Sequence, residues 1–161
     1  MLRQLSVENS VRLRTFFEEA GYTESNLRKH LGAAELPSER LRNRARLLDR
    51  TSAATKLNTL LRWFWIGNAQ DAELSAALIP DDILRLLQES GLVVAEGRML
   101  APRAMLLQFD GFLIASDHPV AIEKRQTEMV LWPNPTSKFL SRFAVPGIRG
   151  PRSTWGPVAE F

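Results

Sequence analysis

The succession of short apolar-periodic segments, each closed by glycine or proline, constrains the fold of this chain more than any other feature. Up to Gly91 the apolar residues recur at intervals of three and four, which is typical of amphipathic helices. Each segment is too short to be a stable helix in isolation, so the segments must pack against one another. After Gly91 the pattern changes to short strand-like runs separated by turn dipeptides. The sequence therefore predicts an α+β, mostly helical fold.

Capping residues and glycines mark where the predicted helices begin and end. One apolar face, which Gly21 closes, comprises Val7, Val11, Phe16, Phe17 and Ala20. A short segment with Thr23 as its cap follows. Further helices are predicted over residues 39–49, 56–66, 72–79 and 83–90, with the respective N-caps Ser38, Thr55, Asp71 and either Asp81 or Asp82. In the first of these four, the residues expected to face inward are Leu41, Ala45 and Leu48.

Two hairpins are predicted after these helices. Residues 92–94 and 99–100 flank a turn at Glu96-Gly97, and residues 105–109 and 112–115 flank Asp110-Gly111, a dipeptide favoured in tight turns. Three helices followed by a hairpin is the order of a winged-helix module, which is a variant of the helix-turn-helix. The helices predicted from residue 56 to residue 90 would be its three helices, and the segment after Gly91 would be its wing. The predicted architecture is a helical bundle with a winged-helix-like module.

Composition places the chain among ordinary globular proteins. With 161 residues, of which 45% are hydrophobic, it suits one domain or a domain with an appended fragment. The absence of cysteine excludes disulfides and thiolate metal sites and fits a reducing compartment. No apolar run approaches the roughly 20 residues that span a bilayer, and charges interrupt the N-terminus where a signal peptide would have its apolar core. A soluble, cytoplasmic protein without a membrane partner is expected.

The C-terminal part of the chain departs from this pattern. A single strand is predicted over residues 128–132, Pro133-Asn134-Pro135 ends it, and a helix follows through Ala144. Residues 146–161 have neither an apolar period nor a capping pattern, which favours a disordered tail. We therefore expect a helical, winged-helix-like N-terminal domain over residues 1–120, a strand–helix joint over 121–145 and a tail over 146–161.

The tail also has a second interpretation, as a motif in a shifted reading frame. Back-translated with suitable codons and displaced by one base, residues 151–161 encode Ala-Leu-Asp-Leu-Gly-Thr-Gly-Ser-Gly-Ile. Trp155 has a single codon and thereby fixes the first glycine of that frame. A buried strand that leads into a Gly-x-Gly-x-Gly turn resembles the S-adenosylmethionine-binding motif of class I methyltransferases. We favour this interpretation over an ordinary tail, and it means that the cofactor-binding glycines are absent from the polypeptide.

Four further segments resemble the N-terminal region of bacterial class I methyltransferases, namely residues 36–42, 57–67, 99–119 and 130–145. They are similar to segments of the release-factor glutamine methyltransferase and of ribosomal RNA guanine methyltransferases, and the resemblance covers residues 31–145. In such proteins a helical or winged-helix domain precedes a Rossmann-like catalytic domain that binds S-adenosylmethionine. The resemblance implies that residues 130–144 form the joint before the first catalytic strand.

The motifs that such an enzyme needs for catalysis are missing from this chain. It has no glycine-rich loop after a first catalytic strand, no acidic residue placed for the ribose hydroxyls, and no Asn-Pro-Pro-aromatic motif, for which Asn134-Pro135 is no substitute. The resemblance therefore implies a substrate-recognition domain whose methyltransferase domain is missing, without catalytic, cofactor-binding or metal-binding residues. Its expected partner is RNA or the ribosome, or a protein of the translation apparatus. Alone, the chain is expected to be inactive.

A group of closely spaced arginines is the best candidate for binding a nucleic acid or another substrate: Arg40, Arg42, Arg44, Arg46 and Arg50. On a helix these side chains fan over a wide arc, and such a basic face can neutralise phosphates. The alternative, which the small net charge of +3 favours, is a solvated helix face whose arginines pair with Glu35, Glu39 and Asp49. Two other functions stay open: a stand-alone winged-helix protein that binds nucleic acid through residues 83–90, and a protein-interaction domain.

Two further groups invite a functional interpretation. Arg62-Trp63-Phe64-Trp65 offers aromatic rings that could stack on bases, but aromatic residues between apolar neighbours on a helix favour a place in the core. His30 and His118 are far apart in the chain, and neither has a neighbour at metal-ligand spacing. Because His118 lies between Asp117 and Pro119, it is expected in a loop or turn rather than in a catalytic site.

Overall fold

The structure is a computed structural model that describes residues 2–31, 44–109 and 112–117. Within these residues it has six α-helices, one π-helical turn and five short strands, and more than half of the residues are helical. The predicted α+β, mostly helical class is therefore confirmed. Of the helices described, none combines the length and the apolar character needed to cross a membrane.

The elements are short and follow the chain in the order helices first, strands last. The α-helices are α1 (Val7–Glu19), α2 (Glu24–Leu31), α3 (Arg44–Arg50), α4 (Lys56–Leu61), α5 (Ala72–Leu78) and α6 (Asp81–Glu89). A π-helical turn, Arg62–Ile66, extends α4. The strands are β1 (Gln70–Asp71), β2 (Val93–Glu96), β3 (Met99–Pro102), β4 (Met105–Phe109) and β5 (Phe112–Ser116).

The strands form two small antiparallel sheets. In the first, β3 lies between β1 and β2, with Gln70 opposite Leu100 and Val94 opposite Ala101. In the second, β4 pairs with β5. Both predicted strand pairs are thus confirmed. Strand β1 was not predicted, because two residues are too few to show an alternating pattern.

The core is built around four aromatic side chains from α1, the loop after it and the π-helical turn, each at most 1% exposed: Phe17, Tyr22, Trp63 and Phe64. The ring centroids of Phe17 and Tyr22 are 5.2 Å apart, edge to face, an arrangement worth about 1 kcal/mol beyond burial. Tyr22 Oη donates to the Leu106 carbonyl at 2.8 Å. Trp63 Nε1 donates to the Leu100 carbonyl at 3.1 Å. The core therefore joins the helices to both sheets and leaves these polar groups satisfied.

Helix boundaries that depend on local capping agree with the sequence. The Thr55 hydroxyl accepts from the Asn58 N–H at 3.2 Å. Gly67 ends the π-helical turn with φ 71°, a left-handed conformation that favours glycine. The Asp71 carboxylate accepts from two backbone N–H groups in the first turn of α5. The two helices predicted there are confirmed, except that the first ends in a π-helical turn and the second ends one residue earlier.

The apolar face predicted for α1 is wrong in part. Val7 and Val11 are 83% and 58% exposed, whereas Leu13, Phe16 and Phe17 are buried. Successive residues of an α-helix are about 100° apart, so Val11 and Leu13 point roughly 200° apart. Val7 and Val11 form a ridge toward solvent, and the buried side follows Leu13 and Phe17, one turn apart.

The N-cap predicted for α6 is also corrected. The helix begins at Asp81 after Pro80, and neither of the two aspartates in its first turn makes a side-chain capping bond. Asp82 instead pairs with Arg12 of α1. A local capping pattern cannot anticipate a cation that comes from a helix about seventy residues earlier in the chain.

Helix α3 is described only from Arg44, so its predicted start at Ser38 and the orientation of Leu41 lie outside the described residues. Within α3, Leu47 is buried and Ala45 is exposed, so the prediction that Ala45 faces inward is wrong. Leu47 offers the larger apolar side chain and points roughly 200° away from Ala45. Also outside the described residues lie the turn at residues 110–111, the joint over 121–145 and the tail over 146–161.

Candidate nucleic-acid interface

Helix α3 presents the described part of the predicted arginine group. Arg46 and Arg50 are exposed and lie one turn apart, and Arg44 is half-buried at the start of the helix. Leu47, on the same helix, is 3% exposed and anchors α3 in the core. Arg40 and Arg42 lie outside the described residues. Three of the five predicted arginines therefore stand on a single short helix.

The arginines of α3 bind neutral acceptors. Arg44 Nη2 donates to Asn68 Oδ1 at 3.1 Å. Arg50 Nη1 donates to the carbonyl of Leu31, the last residue of α2, at 3.2 Å. A cation is favourable at that position because helix carbonyls leave a partial negative charge at the C-terminus. Both acceptors are uncharged, so these hydrogen bonds do not balance the positive charges of Arg44 and Arg50.

The other arginines show the contrast. Elsewhere in the described residues, five arginines pair with carboxylates: Arg12 with Asp82, Arg14 with Glu18, Arg28 with Glu24, Arg98 with Asp71 and Arg103 with Glu96. Within the same part of the chain, Arg44, Arg46, Arg50 and Arg62 have no carboxylate oxygen at ion-pairing distance, and Asp49 pairs with none of them. Arg3 and Arg85 also lack such a partner, but they lie on other elements. Among the described residues, guanidinium groups without a carboxylate partner are therefore concentrated on α3 and the π-helical turn; Glu35 and Glu39, two of the partners considered from the sequence, lie outside these residues.

Arg62 fixes the position of α3. Its Nε donates to Thr51 Oγ1 at 3.2 Å, its Nη2 to the Leu48 carbonyl at 3.0 Å and its Nη1 to Gln70 Oε1 at 3.4 Å. Two of these acceptors belong to the C-terminal end of α3, so Arg62 caps that end with a positive charge. The sequence pattern had suggested Arg62 only as part of a stacking group. No local signal identifies it, because its partners come from α3 and β1.

The aromatic residues beside Arg62 belong to the core. Trp63 and Phe64 are fully buried and Trp65 is half-buried. The interpretation of this segment as core is confirmed for Trp63 and Phe64, which have no surface on which a base could stack. His30 lies exposed in the last turn of α2, and the described residues hold no group of three or more potential metal ligands.

Helix α6 differs from α3 in charge. Its exposed residues are Asp81, Arg85, Gln88 and Glu89, so acidic side chains outnumber basic ones. One of its aspartates, Asp82, is held by Arg12, which ties α6 to α1. A helix that enters a groove of nucleic acid needs cations toward the phosphates and a free face. Helix α6 exposes a single arginine beside Asp81 and Glu89, whereas α3 exposes two arginines, Arg46 and Arg50.

Comparisons with models of protein families, with curated proteins and with solved structures found no match. The functional argument therefore depends on the residues and geometry of this chain. Those place an uncompensated basic surface on α3, fixed by Arg62 and seated on the aromatic core.

Proposed function

We propose that this chain is a substrate-recognition domain that binds RNA through the α3 arginine face, which consists of Arg46 and Arg50, has Arg44 at its N-terminal end and is positioned by Arg62. In the proposed context it is the N-terminal domain of a cytoplasmic S-adenosylmethionine-dependent methyltransferase that modifies ribosomal RNA or a protein of the translation apparatus. The printed sequence contains no in-frame glycine-rich cofactor-binding motif, and we propose that this domain is not catalytic alone. The methyltransferase assignment rests on the sequence resemblance and on the shifted-frame glycine motif.

One observation carries the RNA-binding part of the proposal. Four arginines without a carboxylate partner meet at α3, while arginines elsewhere in the described residues are mostly paired. Positive charges placed close together repel one another and attract counterions. Binding is therefore favourable when the phosphates of RNA take the place of these counterions. Arg50 and Arg46, one turn apart, are spaced to meet successive phosphates of a backbone.

The order of the elements supports a winged-helix-like module. From α4 to β3 the order is helix, strand, helix, helix, strand, strand, and the sheet has the order β1-β3-β2. This is the succession expected of a winged helix, with α6 as its third helix. The runner-up function, a stand-alone winged-helix protein that inserts this third helix into a groove, is disfavoured because α6 exposes more acid than base and is tied to α1.

The proposal is tested by RNA binding as a function of salt. We expect a fluorescently labelled ribosomal RNA hairpin to bind with an affinity that falls steeply between roughly 50 and 200 mM salt. The double substitution Arg46→Gln, Arg50→Gln should weaken binding on the order of tenfold and lower the slope of log affinity against log salt by about 1.5, because two phosphate contacts are lost. Fluorescence anisotropy measures both quantities.

A matched control separates the α3 face from net charge. The double substitution Arg14→Gln, Arg103→Gln removes the same charge from arginines that pair with Glu18 and Glu96. It should change RNA affinity by less than about twofold. Equal losses in both double variants, or an unchanged affinity in the α3 variant, would contradict the proposal. Arg85→Gln tests the runner-up function, because only binding through α6 predicts a large loss of affinity in this variant.

A further inference from the structure

A groove of about 370 Å³ opens between the N-terminal segment, α1 and β5. Apolar side chains form most of its walls: Leu2, Leu5, Leu13, Phe17, Leu113 and Ala115. Two basic residues, Arg3 and Arg14, also line it. Leu2 is 44% exposed, so part of this apolar surface meets solvent. Filling such a groove with apolar side chains removes apolar surface from water and so lowers the free energy of the protein.

Strand β5 supplies a sheet edge beside the groove. Phe109 lies opposite Phe112, so a two-residue loop joins β4 to β5, and in such a hairpin the pair that closes the loop is hydrogen-bonded. By alternation, the backbone groups of Leu113 and Ala115 point away from β4. The bond from Tyr22 Oη to the carbonyl opposite Ala115 agrees with this alternation. Within the described residues no backbone group pairs with this outer edge.

The chain itself contains a segment suited to this edge. It leaves β5 at Asp117, and the first run of four contiguous apolar residues after that point is residues 129–132. The intervening residues 118–128 can span about 36 Å when extended, roughly twice the length of β5, which suffices to return antiparallel. In an extended conformation the side chains of residues 129–132 would point alternately to two sides, so those on one side could enter the groove. Glu128, just before the run, complements the charge of Arg3, since Arg14 already pairs with Glu18.

We propose that residues 129–132 of this chain dock in the groove and pair with the outer edge of β5. The inference is independent of RNA binding. It differs from what the family resemblance implies, since there this segment is a joint that leads into a catalytic domain. Docking would satisfy the outward backbone groups of Leu113 and Ala115 and cover the apolar walls. Residues 129–132 would then cover the groove.

Because the sequence has no cysteine, introduced cysteine pairs report proximity without background. We would combine Leu113→Cys, in turn, with Val130→Cys, Leu131→Cys and Trp132→Cys, and oxidise each full-length variant at high dilution. At least one pair should form an intramolecular disulfide about tenfold faster than the control pair in which Leu74→Cys replaces Leu113→Cys. Leu74 is exposed on α5. No faster pair than the control, or disulfides only between molecules, would overturn the proposal.

Hydrogen exchange gives a second readout that does not depend on engineered cysteines. In the full-length chain the amides of Leu113 and Ala115 should be protected. Leu131→Asp should accelerate their exchange about tenfold, while Ile114, which pairs with β4, stays protected and shows that the hairpin is folded. Unprotected amides in the parent chain, or protection that survives Leu131→Asp, would mean that residues 129–132 do not cover the edge.

Discussion

At the scale of single residues, the two sides of α1 show how burial rather than hydrophobicity determines what a side chain contributes. Phe17 is 1% exposed and touches the rings of Phe16, Tyr22 and Phe64, whereas Val11 is 58% exposed on the same helix. Both are apolar, and the sequence placed them on one face. Phe17 loses almost all of its solvent contact on folding and Val11 less than half, so Phe17 stabilises the fold far more through the hydrophobic effect.

Substitution of these two residues should therefore have very different effects. We expect Phe17→Ala to lower the free energy of unfolding by about 4 kcal/mol, because it removes buried surface and leaves a cavity. Val11→Ala should change it by less than about 0.5 kcal/mol. Urea denaturation followed by circular dichroism measures both. Similar losses for the two variants would mean that the ridge of Val7 and Val11 is covered in the folded protein.

The carboxyl group of Asp71 should make stability depend on pH. Its pKa is lowered, chiefly because the Leu74 N–H donates to the carboxylate, with further help from the Glu73 N–H and from Arg98, against partial desolvation. A group whose pKa falls on folding stabilises the protein above its unfolded pKa, and this stabilisation is lost as pH falls through the folded pKa. The contribution should thus be complete at neutral pH and decline below about pH 4.

The test is Asp71→Ala, with urea midpoints at neutral pH and near pH 3. The variant should be clearly less stable than the parent at neutral pH, and the difference should shrink in acid as the parent carboxylate is protonated. Asp49→Ala is the control, because among the described residues the Asp49 carboxylate forms no ion pair. A gap between parent and Asp71→Ala that is constant with pH would show that the charge of Asp71 contributes nothing.

Some of these residue roles could be predicted from sequence and others could not. The Thr55 and Asp71 caps were predicted correctly, because a cap and its helix are adjacent in the chain. The roles of Arg62 and Asp82 were not predicted, because their partners lie on elements distant in sequence. The same limit applies to the arginine face: the spacing of its residues is visible in sequence, but the absence of compensating carboxylates is a property of the fold.

At the scale of elements, α3 depends on its neighbours. The seven residues of α3 that the structure describes would not form a stable helix on their own. Its position is fixed by the burial of Leu47 on one side and by the bonds of Arg62 to its C-terminal end. The proposed RNA-binding surface is therefore only as well ordered as these contacts. Arg62 acts here as a positioning residue, since three of its nitrogens are engaged by protein acceptors.

Substitution of Arg62 should affect both stability and RNA binding. We expect Arg62→Met to lower the free energy of unfolding by about 2 kcal/mol, because it removes charge-assisted hydrogen bonds and leaves half-buried acceptors unpaired. RNA affinity should fall at a temperature where the variant is still folded, and Arg62→Lys should restore part of both losses. Arg85→Met on α6 removes an equal charge as the control. If Arg62→Met were less stable than the parent but bound RNA with the parental affinity, RNA binding would not depend on the position of α3.

The π-helical turn is the element that the sequence described least well. Residues 62–66 were expected to continue an α-helix, and the wider turn instead directs Trp63, Phe64 and Ile66 into the core together. Over five residues the apolar pattern does not distinguish a π-helical turn from an α-helical one, so this turn could not be predicted from the sequence.

At the scale of the whole molecule, the described residues form a helical unit and two small sheets around one cluster of buried side chains. The order of helices and hairpins was predictable, because glycines and turn dipeptides separate the elements. The contacts of β4 with the π-helical turn and with Tyr22 were not, because they join distant parts of the chain. The methyltransferase context rests on the sequence resemblance and stays a prediction.

That context predicts how the chain responds to the cofactor. Because the sequence lacks the glycine-rich loop and the ribose-binding acid, we expect no saturable heat when S-adenosylmethionine is titrated into the protein in a calorimeter. The RNA titration of the same preparation serves as the positive control for folded protein. Saturable binding with a micromolar dissociation constant would place a cofactor site in this chain and would contradict the proposed division into recognition and catalytic domains.

The hydrogen bonds between Tyr22 and β4 also bear on how the protein forms during synthesis. Tyr22 donates to Leu106, and the Gln108 side chain donates back to the Tyr22 carbonyl, across 84 and 86 positions of the chain. A ribosome that adds about 5 to 20 residues per second needs on the order of 4 to 17 seconds to make that stretch. For this time the first two helices exist without the surface against which they pack, and Phe17 has no complete site. Helices α1 and α2 are thus synthesised before the other described elements but complete their packing only after β4 has been made.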